Sequence, residues 1–176
     1  MSKYLLVHDP DDCIGCQACE VHCKTNKGLG PGPAPCKIVT VGPFWTGDRP
    51  RVRFVHMPCF HCEEPWCAKV CPKGAIQKRR PDGIVFIQPS LCVGCKSCIL
   101  ACPWGAVQWD PGLQKPVKCD FCKDRLDAGL QPACVEKCVT RCLRLLDATA
   151  APGDRRRKYA RSVAAAEAAA GDSVVK

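Results

Sequence analysis

The stretch Cys92-Val93-Gly94-Cys95-Lys96-Ser97-Cys98-Ile99-Leu100-Ala101-Cys102-Pro103 decides the fold. Its cysteines stand in the spacing C-x2-C-x2-C-x3-C-P, and the same spacing without the proline recurs at Cys13, Cys16, Cys19 and Cys23. Two variants complete the set: Cys59, Cys62, Cys67 and Cys71, followed by Pro72, and Cys119, Cys122, Cys134 and Cys138. Every run opens with C-x-x-C and closes with C-x-x-x-C, so sixteen of the eighteen cysteines in the 176-residue chain fall into four runs of four.

Thiolates are soft, anionic ligands suited to iron, and three of them close together in sequence can wrap one metal centre. The spacing of the 92–103 run is that of bacterial cubane [4Fe-4S] sites, in which the last cysteine of a run ligates the other cluster of a pair. The four runs are therefore expected to work as two crossed pairs. The inner runs give one cluster on Cys59, Cys62, Cys67 and Cys102, and a second on Cys92, Cys95, Cys98 and Cys71. By elimination the outer runs give a third on Cys13, Cys16, Cys19 and Cys138, and a fourth on Cys119, Cys122, Cys134 and Cys23. The fourth run has eleven residues between Cys122 and Cys134 and no proline after Cys138. Cys142 is an alternative last ligand there, although the three-residue gap favours Cys138. Cys36 and Cys142 are left over and read as small buried apolar residues.

Other uses of so many cysteines fit less well. A disulfide framework belongs to secreted chains, and the opening MSKYLLVHDPDDC reaches acidic residues and a first cysteine before an export signal could form. Structural zinc favours two C-x2-C pairs separated by a longer loop. The formal charge of +9 counts the cysteines as neutral. Each oxidised cluster with four thiolates carries about −2, so four would offset most of that excess and weaken any inference to nucleic acid. No apolar stretch reaches the roughly eighteen residues a membrane helix needs. No nucleophile constellation is present, and full cysteine ligation leaves no iron corner open to a substrate. Conduction is the expected activity. His8, His22, His56 and His61 lie near the cysteine loops, where packing is their ordinary role and tuning of a potential a rarer one. Trp66 and Trp104 read first as core filling, with packing over a cluster to exclude water as the alternative.

The segment Cys71-Pro72-Lys73-Gly74-Ala75-Ile76 repeats as Cys102-Pro103-Trp104-Gly105-Ala106-Val107. Turns at Arg80-Pro81-Asp82-Gly83 and Asp110-Pro111-Gly112 predict a small β-hairpin after each copy, with a short helix beginning near each fourth cysteine. The fold class is α+β: tandem ferredoxin-like units of short β-hairpins, cluster-binding loops and short helices, plus a C-terminal helix. In the connector 24–58, the prolines of Gly28-Leu29-Gly30-Pro31-Gly32-Pro33 rule out a nucleotide-binding loop, and 37–41 and 51–56 alternate as strands of a second sheet. Residues 1–151 are expected to form the cluster-bearing domain and 152–176 an extension. Pro152-Gly153 would end the folded unit, and Asp154 would cap a helix over 155–170. Its stripe of Tyr159, Val163, Ala166 and Ala170 would dock on a partner subunit or on another copy of the chain; a head-to-tail contact that does not close makes a filament.

The segments HMPCFHCEEPWCAKVCPKGAI, CVGCKSCILACPWGAV and KCDFCKDRLDAGLQPACVEKC resemble the four-cluster ferredoxin-type subunits of molybdenum and tungsten oxidoreductases, over about residues 4–146. That resemblance implies a non-catalytic subunit carrying electrons along four [4Fe-4S] clusters, with a large molybdenum- or tungsten-pterin catalytic partner. Length, connector and alanine-rich tail look most like the small subunit of a bacterial tungsten aldehyde oxidoreductase. Such a subunit implies a flavin/NAD-linked partner, a cytoplasmic complex, no membrane span and no nucleic acid. A free soluble polyferredoxin and a structural zinc module are the competing readings.

Overall fold

The computed structural model describes residues 3–171; residues 1–2 and 172–176 of the two expected segments lie outside the described residues. Four two-stranded antiparallel sheets carry the chain. Strand β1 (Tyr4–His8) pairs with β8 (Leu143–Asp147), placing Tyr4 opposite Asp147 and His8 opposite Leu143. This pairing delivers the first cysteine run, which follows β1, beside the fourth, which precedes β8. Nothing local in the sequence links two short strands at opposite ends of a chain, so only the fold reveals it.

Helix α1 (Ala18–Lys27) leads to β2 (Lys37–Thr46) and β3 (Arg49–Met57), a hairpin longer than the expected strands 37–41 and 51–56. Its register shifts between Val41 and Phe44, next to the cis Gly42–Pro43 peptide, and pairing resumes from Phe44 to Thr46. Buried Glu20 joins helix to hairpin by accepting the Ile38 N–H at 2.6 Å and the Lys37 ammonium at 3.0 Å. The connector is thereby packed rather than merely wrapped over the surface: Pro35 and Cys36 are fully buried, and the Ala34 N–H donates to Gln108 Oε1 at 2.8 Å.

The two expected hairpins are present. Helix α2 (Trp66–Lys69) precedes β4 (Ile76–Lys78) and β5 (Val85–Ile87), and α3 (Ser97–Leu100) precedes β6 (Gln108–Asp110) and β7 (Lys115–Val117). Each turn is held by its aspartate. Asp82 Oδ1 accepts the Ile84 N–H at 3.1 Å, and Asp110 Oδ1 accepts the N–H groups of Gly112 and Leu113 at 2.8 and 3.0 Å. The fourth run contains α4 (Lys123–Asp127) and α5 (Ala133–Glu136), and α6 (Ala151–Gly171) ends the described chain.

Two helix expectations are corrected. The short helices do not begin near each fourth cysteine; they carry the third, Cys19, Cys67, Cys98 and Cys134. At Cys71-Pro72 and Cys102-Pro103 the proline ring disfavours helical geometry in the cysteine before it, so α2 and α3 stop short. Cys23 is followed by Lys24, and α1 runs on to Lys27, where Gly28 closes it in the left-handed region at φ 62°. Asp154 does not cap the last helix, and Pro152-Gly153 lies inside that helix rather than before it. Proline suits a first helical turn, so the helix starts at Ala151 and includes both. Asp154 is buried and paired with Arg144 of β8 through both guanidinium nitrogens, one at 3.1 Å. The basic start of the helix is partly answered within the chain: Lys158 pairs with Asp9 at 3.0 Å and Arg157 lies 3.7 Å from Asp154. Tyr159, Val163 and Ala166 are exposed; the side chain of Ala170 lies outside the described residues.

The core is thin and built around sulfur. One cluster gathers Cys19, Cys23, Cys36, Ile38, Cys134, Cys142 and Leu143; a second gathers Cys59, Ile84, Ala106, Cys119 and Phe121; a third gathers Cys67, Ile76, Val85, Cys98 and Val107.

Candidate metal centres

Each cysteine loop is shaped by left-handed backbone. Gly15 and Gly94 have φ of 68° and 72°, and Gln17 and Lys96, the residues that precede α1 and α3, have φ of 60° and 64°. The glycines tolerate this conformation without strain, and it turns successive sulfurs toward one centre. A side chain at Gly15 would also strike Phe54, whose ring atoms lie 2.5 to 2.7 Å from the place a Cβ would take.

The structure brings Cys59, Cys62, Cys67 and Cys102 onto one small cavity, walled by Phe60, Trp66, Val85, Trp104, Ala106 and Val107. Cys71, Cys92, Cys95 and Cys98 line a second, with Ala75, Ile76, Ile87, Val93 and Pro116. Cys13, Cys16, Cys19 and Cys138 line a third, which Cys142, His8, Ile38 and Leu143 share. In each, three sulfurs come from one run and the fourth from another.

The remaining four, Cys23, Cys119, Cys122 and Cys134, are all buried. Burial drives the Cys119 thiol upward with Cys134 as the next contributor, and Cys122 is likewise raised by burial with Cys134 close by. Cys23 and Cys134 pack in one core cluster with Cys36 and Cys19, and the neighbouring Cys134, Cys19 and Cys23 thiols push the Cys36 thiol well above its ordinary value. Cys36 Sγ donates to the Cys19 carbonyl at 3.4 Å, and Cys19, Cys36 and His56 present ligand atoms within 4.8 Å of one another. Cys138 and Cys142 have sulfurs 3.5 Å apart. The Cys138 thiol is lowered, with bonds from the Leu143 backbone and Cys142 overcoming burial, whereas burial pushes Cys142 up to about 12.

The residues fit iron–sulfur ligation. Burial, followed by the neighbouring thiols, holds Cys98 up at about 11. Such sulfurs ionise only beside a strong positive charge, which a metal centre provides. Donors already point at them: the Ala75 N–H to Cys71 Sγ at 3.2 Å, Lys118 Nζ to Cys59 Sγ at 3.6 Å and Asn26 Nδ2 to Cys122 Sγ at 3.8 Å. The buried Nε2 atoms of His8, His56 and His61 have no protein partner among the described residues. His61 is held by the Val85 N–H, which donates to its Nδ1 at 2.9 Å, and its ring stacks on Phe121 at 3.9 Å. Burial drives its pKa down to about 2 and that of His56 to about 4, so both are neutral. Trp66 and Trp104, expected to fill core, instead stand more than half exposed at the rim of the first cavity, where Trp104 meets Phe60 edge-on at 5.1 Å. Lys118, Asn26 and Cys36 were missed as participants because a single residue outside a repeating spacing carries no signal of its own.

Comparison with known proteins agrees with this chemistry. Residues 50–148 match the model of the 4Fe-4S dicluster domain. The protein is 38% identical over 149 residues to the B subunit of anaerobic dimethyl sulfoxide reductase from Escherichia coli, covering 81% of its own length and 72% of that subunit. It is 42% identical over 142 residues to protein NrfC of Escherichia coli, covering 80% and 64%. It is 39% identical over 145 residues to the thiosulfate reductase electron transfer subunit PhsB of Salmonella typhi, covering 81% and 75%. The [4Fe-4S] chemistry of the family displaces the zinc reading. The protein belongs to the 4Fe-4S dicluster family of non-catalytic iron–sulfur electron-transfer subunits.

Proposed function

We propose that the chain carries electrons through four [4Fe-4S] clusters between a large molybdenum- or tungsten-pterin catalytic subunit and a flavin/NAD-linked subunit. The observation that carries this reading is the crossed arrangement of sulfurs, in which three cavities each combine three cysteines of one run with one of another. The ligand sets are those of the two crossed pairs, with Cys23 completing the set of Cys119, Cys122 and Cys134, and Cys138 serving as last ligand of the Cys13 set. When bound, the clusters supply one-electron redox chemistry. The chain's own residues fix their spacing, exclude water and aim donors at sulfur. Residues 1–151 form two tandem ferredoxin-like units, and 152–176 the docking extension.

The pterin partner is supported by relatives named as subunits of dimethyl sulfoxide and thiosulfate reductases. A tungsten aldehyde oxidoreductase is the specific enzyme proposed, from the compact connector and the alanine-rich segment after residue 152. A cytoplasmic site suits sixteen thiolates that must stay reduced until iron arrives. No helix among the described residues is long and apolar enough to cross a membrane. The exposed stripe on α6 is proposed to dock on the catalytic partner or on a second copy, head to tail, giving a filament.

Anaerobic purification tests the reading. About sixteen irons per chain are expected, with a pterin-containing subunit co-purifying. Recovery of the chain alone, fully loaded, would favour a free polyferredoxin. Cys102→Ser should alter the centre held by Cys59, Cys62 and Cys67; damage confined to the Cys92 centre overturns the crossed ligation.

A further inference from the structure

Lys118 is 4% exposed, and its ammonium has three protein partners. It donates to the carbonyls of Val85 and Cys119, the latter at 2.8 Å, and to Cys59 Sγ at 3.6 Å. Three partners use all three N–H donors of a lysine. Among the described residues no carboxylate pairs with it. Lys27, the other deeply placed lysine of this region, pairs with Asp120 at 2.5 Å. A buried ammonium lacking an anion is strongly unfavourable. The one group in contact with Lys118 able to become an anion is the Cys59 sulfur, and it does so on binding a metal centre.

The geometry points to Lys118 as the positioning residue that sets the reduction potential of the centre held by Cys59, Cys62, Cys67 and Cys102, by fixing a buried positive charge against the Cys59 sulfur. This rests on the ligand reading proposed above. The charge is held from two sides, because Val85 belongs to β5 and Cys119 opens the fourth run. It cannot swing away without breaking both carbonyl bonds. Its one hydrogen bond to a sulfur is to Cys59, and its bond to the Cys119 carbonyl sets the same charge beside the fourth run, whereas no hydrogen bond joins it to the first or third run among the described residues. The step it affects moves one electron between neighbouring centres, one being reduced as the other is oxidised, with no bond made and no proton moved. A fixed cation stabilises the added negative charge and raises the potential of the centre it faces.

Two unit charges about 6 Å apart at an effective dielectric of about 20 change an equilibrium by about a hundredfold. Surrounding water and other charges reduce this, and about tenfold is the working expectation, equivalent to about 59 mV for a one-electron couple. The experiment is an anaerobic redox titration followed by electron paramagnetic resonance on the full chain, comparing wild type, Lys118→Met, Lys118→Gln and Lys118→Arg. Cys62→Ser marks which signal belongs to the centre of the second run.

The neutral variants should move that signal to lower potential by about tenfold in equilibrium, with a smaller shift at the centre that shares Cys119, and leave the centres of the first and third runs in place, whereas Lys118→Arg should stay near wild type. Full iron content with every potential unmoved overturns the proposal. So does a shift in Lys118→Arg as large as in Lys118→Met, since the effect would then be one of shape. If the neutral variants lose the centre, its retention in Lys118→Arg supports the charge and its loss there as well overturns it. A failure of the ligand reading looks different: Cys62→Ser and Cys102→Ser would then alter different signals.

Discussion

Replacing Asp154 by asparagine should free the start of α6 from the rest of the chain. The Asp154 side chain is 9% exposed and lies between both terminal nitrogens of Arg144, with Arg157 as a third, weaker partner at 3.7 Å. Arg144 is 40% exposed, so the pair belongs at the low end for charge-assisted hydrogen bonds, about 2 kcal/mol. A carboxylate in the first helical turn adds about 0.5 kcal/mol through the helix dipole. Asparagine keeps the size and a similar helix propensity, so the loss is that of charge, about 2.5 kcal/mol or about 70-fold in the open population. Residues 155–168 are exposed, which leaves the contacts of Ala151, Asp154 and Lys158 to hold the helix in place. Trypsin reads the opening directly, because the loosened segment contains Arg155, Arg156 and Arg157. While opening and closing outpace cleavage, the cutting rate follows the open population. Cleavage there, followed by mass spectrometry on the loaded protein, should rise by tens of fold in Asp154→Asn. Lys158→Ala, which removes a pair with Asp9 that is half exposed on the lysine side, should raise it only about twofold. A rate for Asp154→Asn within about threefold of wild type, or a larger effect from Lys158→Ala, refutes the assignment of the anchor to Arg144 and Asp154.

Ile84 is fully buried against Cys59, Cys119 and Phe121, so Ile84→Ala should cost about 3 kcal/mol, seen as faster loss of visible absorbance in denaturant; a change below about 1 kcal/mol contradicts that packing. Burial alone would raise the Asp82 carboxyl, but the Arg79 guanidinium and the Ile84 N–H outweigh it and hold the group below its ordinary value. Because the folded value is the lower one, the stabilisation is present above the unfolded value of about 3.9 and fades as pH falls through the folded value. Asp82→Asn should therefore be less stable near neutrality and flatten the stability profile below about pH 4; an unchanged profile argues against the pair. With Cys138 as the ligand, Cys142→Ala should keep full iron content and Cys138→Ala should lose one centre's signal; the reverse pattern exchanges the two.

The chemistry of the site was legible wherever residues recur. The four runs and the turns at Asp82 and Asp110 are periodic or locally encoded, and the hairpins followed from them. The short helices fall on the third cysteine of each run; at Cys71 and Cys102 the following proline keeps the fourth cysteine out of the helix, and in the other two runs no proline marks the boundary. The β1 and β8 pairing, the reach of Arg144 to Asp154 and the burial of Lys118 depend on contacts between distant segments. A lysine beside a cysteine reads as a solvated charge until the fold encloses it. His61 was noted in sequence, but only the stack on Phe121 and the bond from Val85 distinguish it from a solvated histidine.

Cys16 and Cys95 are exposed, whereas Cys23, Cys119, Cys122 and Cys134 are buried. Dioxygen and peroxide attack cysteine sulfur in order of accessibility, so under the proposed ligation the outward-facing centres of the first and third runs are damaged before the enclosed centre of the fourth. Air would then remove the two exposed centres while the enclosed one kept its iron. A preparation stored in air would then settle near half of its starting iron and absorbance rather than bleach evenly, and the surviving half would mark the enclosed part of the chain.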